Sequence, residues 1–132
     1  MTSYVFVLKV RQLHREFSRS GADVCQALTF YASGDNVSYS KERAGGITTS
    51  VNEEDINLAA VAIAREVADE HNALVSVSLC ESRNYKQGKG RDDVIADFRK
   101  QLKFFVDAGC DIDFIVCEVL NEIPKQTIIK GY

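Results

Sequence analysis

The chain has 132 residues, of which 45% are hydrophobic and 27% charged, and its formal net charge is -3. This length suits a single soluble globular domain, and it excludes a complete eight-stranded α/β barrel, which needs about 250 residues. Because the chain has no surplus of basic residues, neither nucleic acid nor an anionic membrane surface is expected as a partner.

The amino-terminal part predicts a short amphipathic helix. Val10, Leu13 and Phe17 recur at helical spacing among charged residues, which predicts that these three side chains face the core and that His14 lies on the outer side. The earlier apolar run from Tyr4 to Leu8 is shorter than a signal-peptide core or a membrane span. We therefore expect a cytoplasmic protein.

The next elements are a strand, a long loop and a long helix. Residues Val24 to Phe30 are mostly apolar and predict a strand, whereas Ala32 to Thr49 are rich in turn-forming residues and predict a loop. Ser50 and Glu53 have the spacing of a capping box, which marks the start of a helix. The apolar face of that helix consists of Ile56, Ala59, Ala60, Ile63 and Val67.

The second half of the chain repeats this alternation. Ala73 to Leu79 predict a strand, Glu81 to Gly90 a polar loop, and Phe114 to Cys117 a further strand, followed by a helix from Pro124. Between the last two strands, a helix that starts at Asp92 has an inner face of Val94, Phe98, Leu102 and Phe105. Helices that alternate with strands predict an α/β fold of parallel β/α units.

Ligands of parallel α/β folds bind at the carboxyl ends of the strands, so candidate site residues are sought there. Phe30 and Tyr31 form either an aromatic wall for a cation or, on opposite faces of a strand, one core ring and one half-exposed ring. Glu118 either receives an ammonium group or is a solvated loop residue, and for Glu81 solvent exposure is favoured.

The four cysteines do not have metal-ligand spacing. Cys25, Cys80, Cys110 and Cys117 include no C-x-x-C pair. Cys80 and Cys117 end neighbouring predicted strands, but two thiols are too few for a stable zinc site, so buried packing is favoured for both. We predict reduced thiols and no metal ligand among them.

Several segments of the chain are similar to those of betaine-homocysteine S-methyltransferases. They are Val10 to Phe17, Gln26 to Ser33, Ile63 to Glu70, Ala73 to Val75 and Asp113 to Glu118. These segments keep the order of the family and nearly its spacing. The resemblance covers about residues Val10 to Glu122, and we treat residues 1–132 as a partial homocysteine-binding barrel domain.

The resemblance implies part of a TIM (β/α)8 barrel enzyme that transfers a methyl group from betaine to homocysteine, giving methionine and dimethylglycine. Zinc activates the homocysteine thiol in this family. By the same resemblance, Phe30 and Tyr31 contact the quaternary ammonium of betaine and Glu118 holds the amino group of homocysteine. Gln26 and Thr29 belong to the same matched segment, and we assign them to the substrate site as well.

The chain also departs from the family pattern. None of its cysteines matches the zinc ligands, Val119 replaces a tyrosine, Val77 and Ser78 replace paired glycines, and the chain has no tryptophan. Part of a barrel has open sheet edges, which predicts homo-oligomers or aggregation. Two alternatives stay open. One is an inactive relative that binds betaine or a small amino acid or associates with an intact subunit, and the other is an unrelated flavodoxin-like binding domain.

Overall fold

Three short parallel strands form one sheet, in agreement with the predicted parallel α/β arrangement. A computed structural model describes residues 2–44 and 50–117, with side chains from Val7 onward in the first helix. The strands are β1 (Val24–Gln26), β2 (Leu74–Ser78) and β3 (Phe114–Val116), and their spatial order is β1-β2-β3. Each is shorter than its predicted apolar run, so residues at the end of every run lie outside the sheet.

Five helices accompany the strands in the described ranges. They are α1 (Thr2–Arg19), α2 (Gly34–Arg43), α3 (Glu53–His71), α4 (Arg83–Lys86) and α5 (Arg91–Asp107). None of the helices in these ranges is long and apolar enough to cross a membrane. The helices α3 and α5 agree with the two long helices predicted from apolar periodicity.

The main core lies between the sheet and these two long helices. Alternate residues of β2, Val75 and Val77, are completely buried and pack in one cluster with α3 and with Phe105 of α5. A second cluster joins Leu79, directly after β2, to Val94 and Phe98 of α5. The predicted inner face of α5 is therefore confirmed at its buried positions, and the packing fixes the end of β2 against that helix.

The buried face of α1 differs from the predicted face. Val10 is buried as expected, but Leu13 and Phe17 are 48% and 59% exposed, whereas His14 is only 7% exposed. The reason is the ion pairing between α1 and α3. Arg11 lies 2.9 Å from the Glu66 carboxylate, and Arg15 pairs with Glu66 and with Glu70. These contacts turn Val10, His14 and Ser18 toward α3 and β1.

The predicted loop from Ala32 to Thr49 contains a helix, so that prediction was wrong. The ten-residue helix α2 has an acidic residue in its first turn and basic residues in its last turn, which suits the helix dipole, but it buries no side chain. With no apolar stripe, it has no periodic signal in the sequence. The residues 45–49 of the predicted loop lie outside the described ranges.

The start of α3 also differs from the prediction. The capping box is formed by Asn52 and Asp55 instead of Ser50 and Glu53. Asn52 Oδ1 accepts a hydrogen bond from the Asp55 N–H at 2.9 Å, and Asp55 returns one to the Asn52 N–H at 3.0 Å. As a result, the Glu53 side chain does not cap α3 and is available to the neighbouring cavity.

Candidate functional site

A cavity of about 790 Å³ lies beyond the carboxyl ends of β1 and β2. Its walls come from the segment between β1 and α2, the start of α3, the segment between β2 and α4, and the middle of α5. Among the predicted site residues, Thr29, Phe30 and Tyr31 line this cavity together with Cys80 and Glu81. The cavity thus lies where ligands of parallel α/β folds bind.

Phe30 and Tyr31 form an edge-to-face ring pair at the cavity wall. Their ring centroids are 4.5 Å apart and their planes are inclined by 78°. The two residues follow β1 in a turn instead of continuing the strand, which corrects the expectation of rings on opposite strand faces. Tyr31 is 70% exposed and Phe30 is partly buried, so the pair presents one ring to the solvent-filled mouth and supports it with the other.

Thr29 explains why the chain leaves the sheet so early. Its hydroxyl accepts a hydrogen bond from the Ser78 N–H at 2.8 Å and donates one to the Ser78 carbonyl at 3.0 Å. A side chain therefore replaces the backbone pairing between β1 and β2 at this point. The Thr29 side chain is buried and already occupied by these two bonds, so its first role is to shape the cavity floor.

Gln26 lies behind the cavity. Its Nε2 donates a hydrogen bond to the Ser78 hydroxyl at 2.6 Å across the sheet. The described lining includes Ser78 but not Gln26. The structure therefore brings Thr29, Phe30 and Tyr31 together in one cavity. Gln26 does not line the cavity and contacts the lining residue Ser78 from behind. Glu118 and the helix expected after Pro124 lie outside the described residues.

Cys80 is buried in the cavity wall, in agreement with the prediction of packing. Its thiol donates a hydrogen bond to the Phe30 carbonyl at 2.6 Å, and burial raises the pKa of this thiol. Gln101 of α5 holds the backbone of Cys80 at two points, with its Oε1 2.7 Å from the Cys80 N–H nitrogen and its Nε2 3.2 Å from the carbonyl oxygen. These contacts fix the segment after β2 against α5.

Asp97 is a cavity residue that the sequence did not single out. Its carboxylate accepts hydrogen bonds from the Ser82 hydroxyl at 2.5 Å, the Asn84 Nδ2 at 2.9 Å and the Asn84 N–H at 3.2 Å. Ser82 in turn caps α4 through the Tyr85 N–H at 3.1 Å. This network attaches α4 to α5. The only signal in the sequence is that Asp97 precedes Gln101 by four residues, which places both on one helical face.

Three ion pairs surround the cavity, each with a cation from α4 or α5. Arg83 lies 3.1 Å from Asp35, Lys86 2.8 Å from Glu81, and Lys100 2.7 Å from Glu53. The last two carboxylates are more buried than their partners: the Glu81 side chain is 23% exposed against 63% for Lys86, and Glu53 17% against 66% for Lys100. Glu81 is thus less exposed than predicted, because the ion pair holds it against the wall.

The described residues contain no cluster of three or more His, Cys, Asp or Glu side chains suited to a metal ion. The cysteines occupy separate environments. Cys25 is hydrogen-bonded to Ser18 at 3.3 Å, Cys80 lies in the cavity wall, and burial raises the pKa of the Cys110 and Cys117 thiols.

Comparison with known proteins gives a consistent family match. The family profile described as homocysteine S-methyltransferase matches residues 7–129. The chain is 40% identical over 116 residues to betaine--homocysteine S-methyltransferase 1 of Xenopus tropicalis, which covers 88% of this chain and 28% of that protein. The enzyme of the same name from Sus scrofa is 38% identical, with 88% and 40% covered, and that of Bos taurus is 38% identical, with 88% and 27% covered. The chain therefore spans well under half the length of these relatives.

Proposed function

Because the chain belongs to the homocysteine S-methyltransferase family, we propose that its strand-end cavity binds betaine as the donor in methyl transfer to homocysteine. The products of this transfer are dimethylglycine and methionine. In the same proposal, residues 1–132 form part of a TIM barrel in the cytoplasm. The observation that carries the proposal is the Phe30–Tyr31 ring pair at the mouth of the cavity.

The ring pair suits a quaternary ammonium for a physical reason. Such a group has no N–H to donate, so hydrogen-bond acceptors do not recognise it specifically, whereas the electron-rich face of an aromatic ring attracts it. Each such contact is worth about 0.5 to 2 kcal/mol. Tyr31 is exposed enough to meet a ligand, and its contact with Phe30 limits the orientations of its ring.

We assign Gln26, Thr29 and Glu118 to the substrate site by family resemblance. Gln26 and Thr29 support this role indirectly, because both hold Ser78 at the cavity floor. In this proposal Glu118 receives the ammonium group of homocysteine. Zinc activates the thiol in the family, but the described cysteines do not fit a zinc site. We therefore propose that no cysteine of this chain binds zinc.

A second candidate function is binding of betaine or a small amino acid without methyl transfer. Ser78 favours it, because this side chain lines the cavity at a position where the family pattern has a glycine. Its hydroxyl is held by Gln26 and its backbone by Thr29. The side chain therefore stays fixed in space that a glycine would leave to the substrate.

One experiment separates the two candidates. The full chain is titrated with betaine by calorimetry and then incubated with methyl-labelled betaine and homocysteine, and labelled methionine is measured by mass spectrometry. Binding with labelled methionine supports the transferase, and binding without it supports the second candidate. If betaine does not bind at millimolar concentration, the transferase is wrong, and a titration with homocysteine then decides whether the second candidate holds as binding of a small amino acid. Tyr31→Leu should weaken binding by roughly 2- to 30-fold, whereas Phe17→Leu, at an exposed aromatic outside the cavity, should leave it unchanged.

A further inference from the structure

The mouth of the strand-end cavity carries two cations whose role the family resemblance does not describe. Arg83 and Lys86 lie at the two ends of α4, and both line the cavity. They are 64% and 63% exposed, so a ligand at the mouth reaches both without entering the protein core. Their present partners are Asp35 of α2 and Glu81.

The two cations and the ring pair line the same cavity. Arg83 reaches Asp35, which follows Tyr31 by four residues at the start of α2. A ligand in contact with the rings therefore lies in the same cavity as a guanidinium and an ammonium group.

The position of α4 is fixed although the helix has only four residues. Asp97 accepts three hydrogen bonds from Ser82 and Asn84, and Ser82 caps the helix. Asp97 lies on α5, which packs through Phe98 into the buried cluster around Leu79. The backbone that carries Arg83 and Lys86 is thus anchored to the core.

The charges that line the cavity are balanced. Four carboxylates and four cations are present in the described lining: Asp35, Glu53, Glu81, Asp97, Lys41, Arg83, Lys86 and Lys100. In all three pairs around the cavity the carboxylate is the less exposed partner, by a wide margin for Glu81 and Glu53. A neutral ligand with separated charges suits this arrangement, with its cationic end at the ring pair and its anionic end at Arg83 and Lys86.

We propose that Arg83 and Lys86 form a carboxylate-binding subsite, which makes the cavity selective for zwitterionic ligands such as betaine over cations that carry no carboxylate. This inference rests on the proposed function, because it assumes that the ammonium end of the ligand contacts Phe30 and Tyr31. Binding would exchange the Asp35 and Glu81 partners of the two cations for the carboxylate of the ligand. Asp97 acts as a positioning residue in this subsite. It holds α4 in place through Ser82 and Asn84 and does not itself contact the carboxylate of the ligand.

The test compares two probes with the same quaternary ammonium. The full chain is titrated by calorimetry with glycine betaine, which has a carboxylate, and with choline, which has a hydroxyl in its place. We expect tighter binding of betaine. Arg83→Ala and Lys86→Ala should each weaken betaine binding by roughly two- to fivefold and leave choline binding unchanged. Arg83→Lys should retain most of the betaine affinity, because it preserves the charge.

Lys89→Ala is the matched control, since Lys89 is a nearby lysine of the same segment that does not line the described cavity. Lys86→Gln, which keeps a long polar side chain, replaces Lys86→Ala if the latter fails to fold as judged by circular dichroism. If betaine binds but the variants affect betaine and choline equally, or affect neither, the subsite is wrong while betaine binding stands. If neither probe binds to the wild-type chain, the proposed function fails and this inference fails with it.

Discussion

Arg65 and Asp113 form an ion pair, 3.2 Å between Nη1 and Oδ2, that ties the middle of α3 to the residue before β3. The same Asp113 oxygen accepts a hydrogen bond from the Val75 N–H of β2 at 2.7 Å. These two contacts hold the pKa of the Asp113 carboxyl below its usual value, the Val75 bond being the larger cause. Asp113 therefore sets where β3 begins to pair with β2.

Asp113→Asn should lower the free energy of unfolding at neutral pH, because the charge that favours both contacts is lost. Because the pKa of Asp113 is lowered in the folded state, this carboxylate stabilises the wild-type fold above the ordinary carboxyl pKa. Its contribution to the free energy of unfolding is lost as the pH falls below about 4. The variant should show less of this acid-induced loss. Urea unfolding at pH 7 and pH 3 measures both effects.

The control for this prediction is Asp69→Asn, because Asp69 pairs with the same Arg65 at 2.9 Å but is 67% exposed. It should change stability little, as expected for an exposed pair within one helix. An equal loss of stability in the two variants would contradict the role given to Asp113.

His14 should make the stability of the chain sensitive to pH. Its Nε2 is buried and has no hydrogen-bond partner among the residues that the structure describes, and burial lowers the pKa of the imidazole. The unfolded chain therefore binds the proton more readily, so this residue lowers stability as the pH falls through about 6.5. The expected measurement is a loss of thermal stability between pH 7.5 and pH 5.5.

His14→Leu should reduce that pH dependence and raise the free energy of unfolding by about 1 kcal/mol at pH 7, because it removes a buried unpaired nitrogen. The other histidine is the control. His71 is hydrogen-bonded to the Val67 carbonyl at 3.0 Å in the last turn of α3. His71→Leu should leave the pH dependence of stability below pH 6.5 unchanged. If this variant loses the pH dependence, the effect comes from His71 and the prediction for His14 is wrong.

The orientation of α1 can be tested by a pair of glutamine substitutions. Val10→Gln puts an amide into the buried face and should lower the free energy of unfolding by about 1 to 3 kcal/mol. Phe17→Gln changes an exposed side chain and should shift it by less than about 0.5 kcal/mol. Denaturant unfolding of both variants measures the difference. The reverse order would restore the face predicted from the apolar spacing.

Gly34 and Glu53 should be energetically coupled. A Cβ at Gly34 would overlap the Glu53 carboxylate, which pairs with Lys100. Gly34→Ala should therefore displace that side chain and weaken the ion pair. In a Glu53→Ala background the clash is gone, and alanine should stabilise the first turn of α2 relative to glycine. A double-mutant cycle in urea should give a coupling of at least about 0.5 kcal/mol, and simple additivity would show that the close approach has no energetic effect.

Much of the architecture is predictable from local patterns. The apolar spacing in α3 and α5 indicates both helices, and the short apolar runs around Val75 and Ile115 indicate two strands. Their alternation predicts the parallel sheet, because parallel strands need a crossover between them. The helix α2 is not predicted by apolar spacing, because a helix that buries no side chain needs no apolar stripe.

The candidate site could be predicted only in part. The sequence places Thr29, Phe30 and Tyr31 near the end of a strand, and the structure brings them to one cavity. The sequence does not reveal Asp97. The role of this carboxylate depends on its hydrogen bonds with Ser82 and Asn84, which approach it only when α4 folds back onto α5.

The sequence by itself predicts the order of helices and strands, the parallel sheet and the family resemblance. These features depend on residues close together in the chain or on the order of whole segments. The buried face of α1, the early end of β1 and the charges around the cavity were decided by the tertiary structure. Arg15 meets Glu70 and Thr29 meets Ser78 across about 50 intervening residues. Local periodicity carries no information about such pairings. The packing of α1 on α3 and the pairing of β1 with β2 determine which of them form.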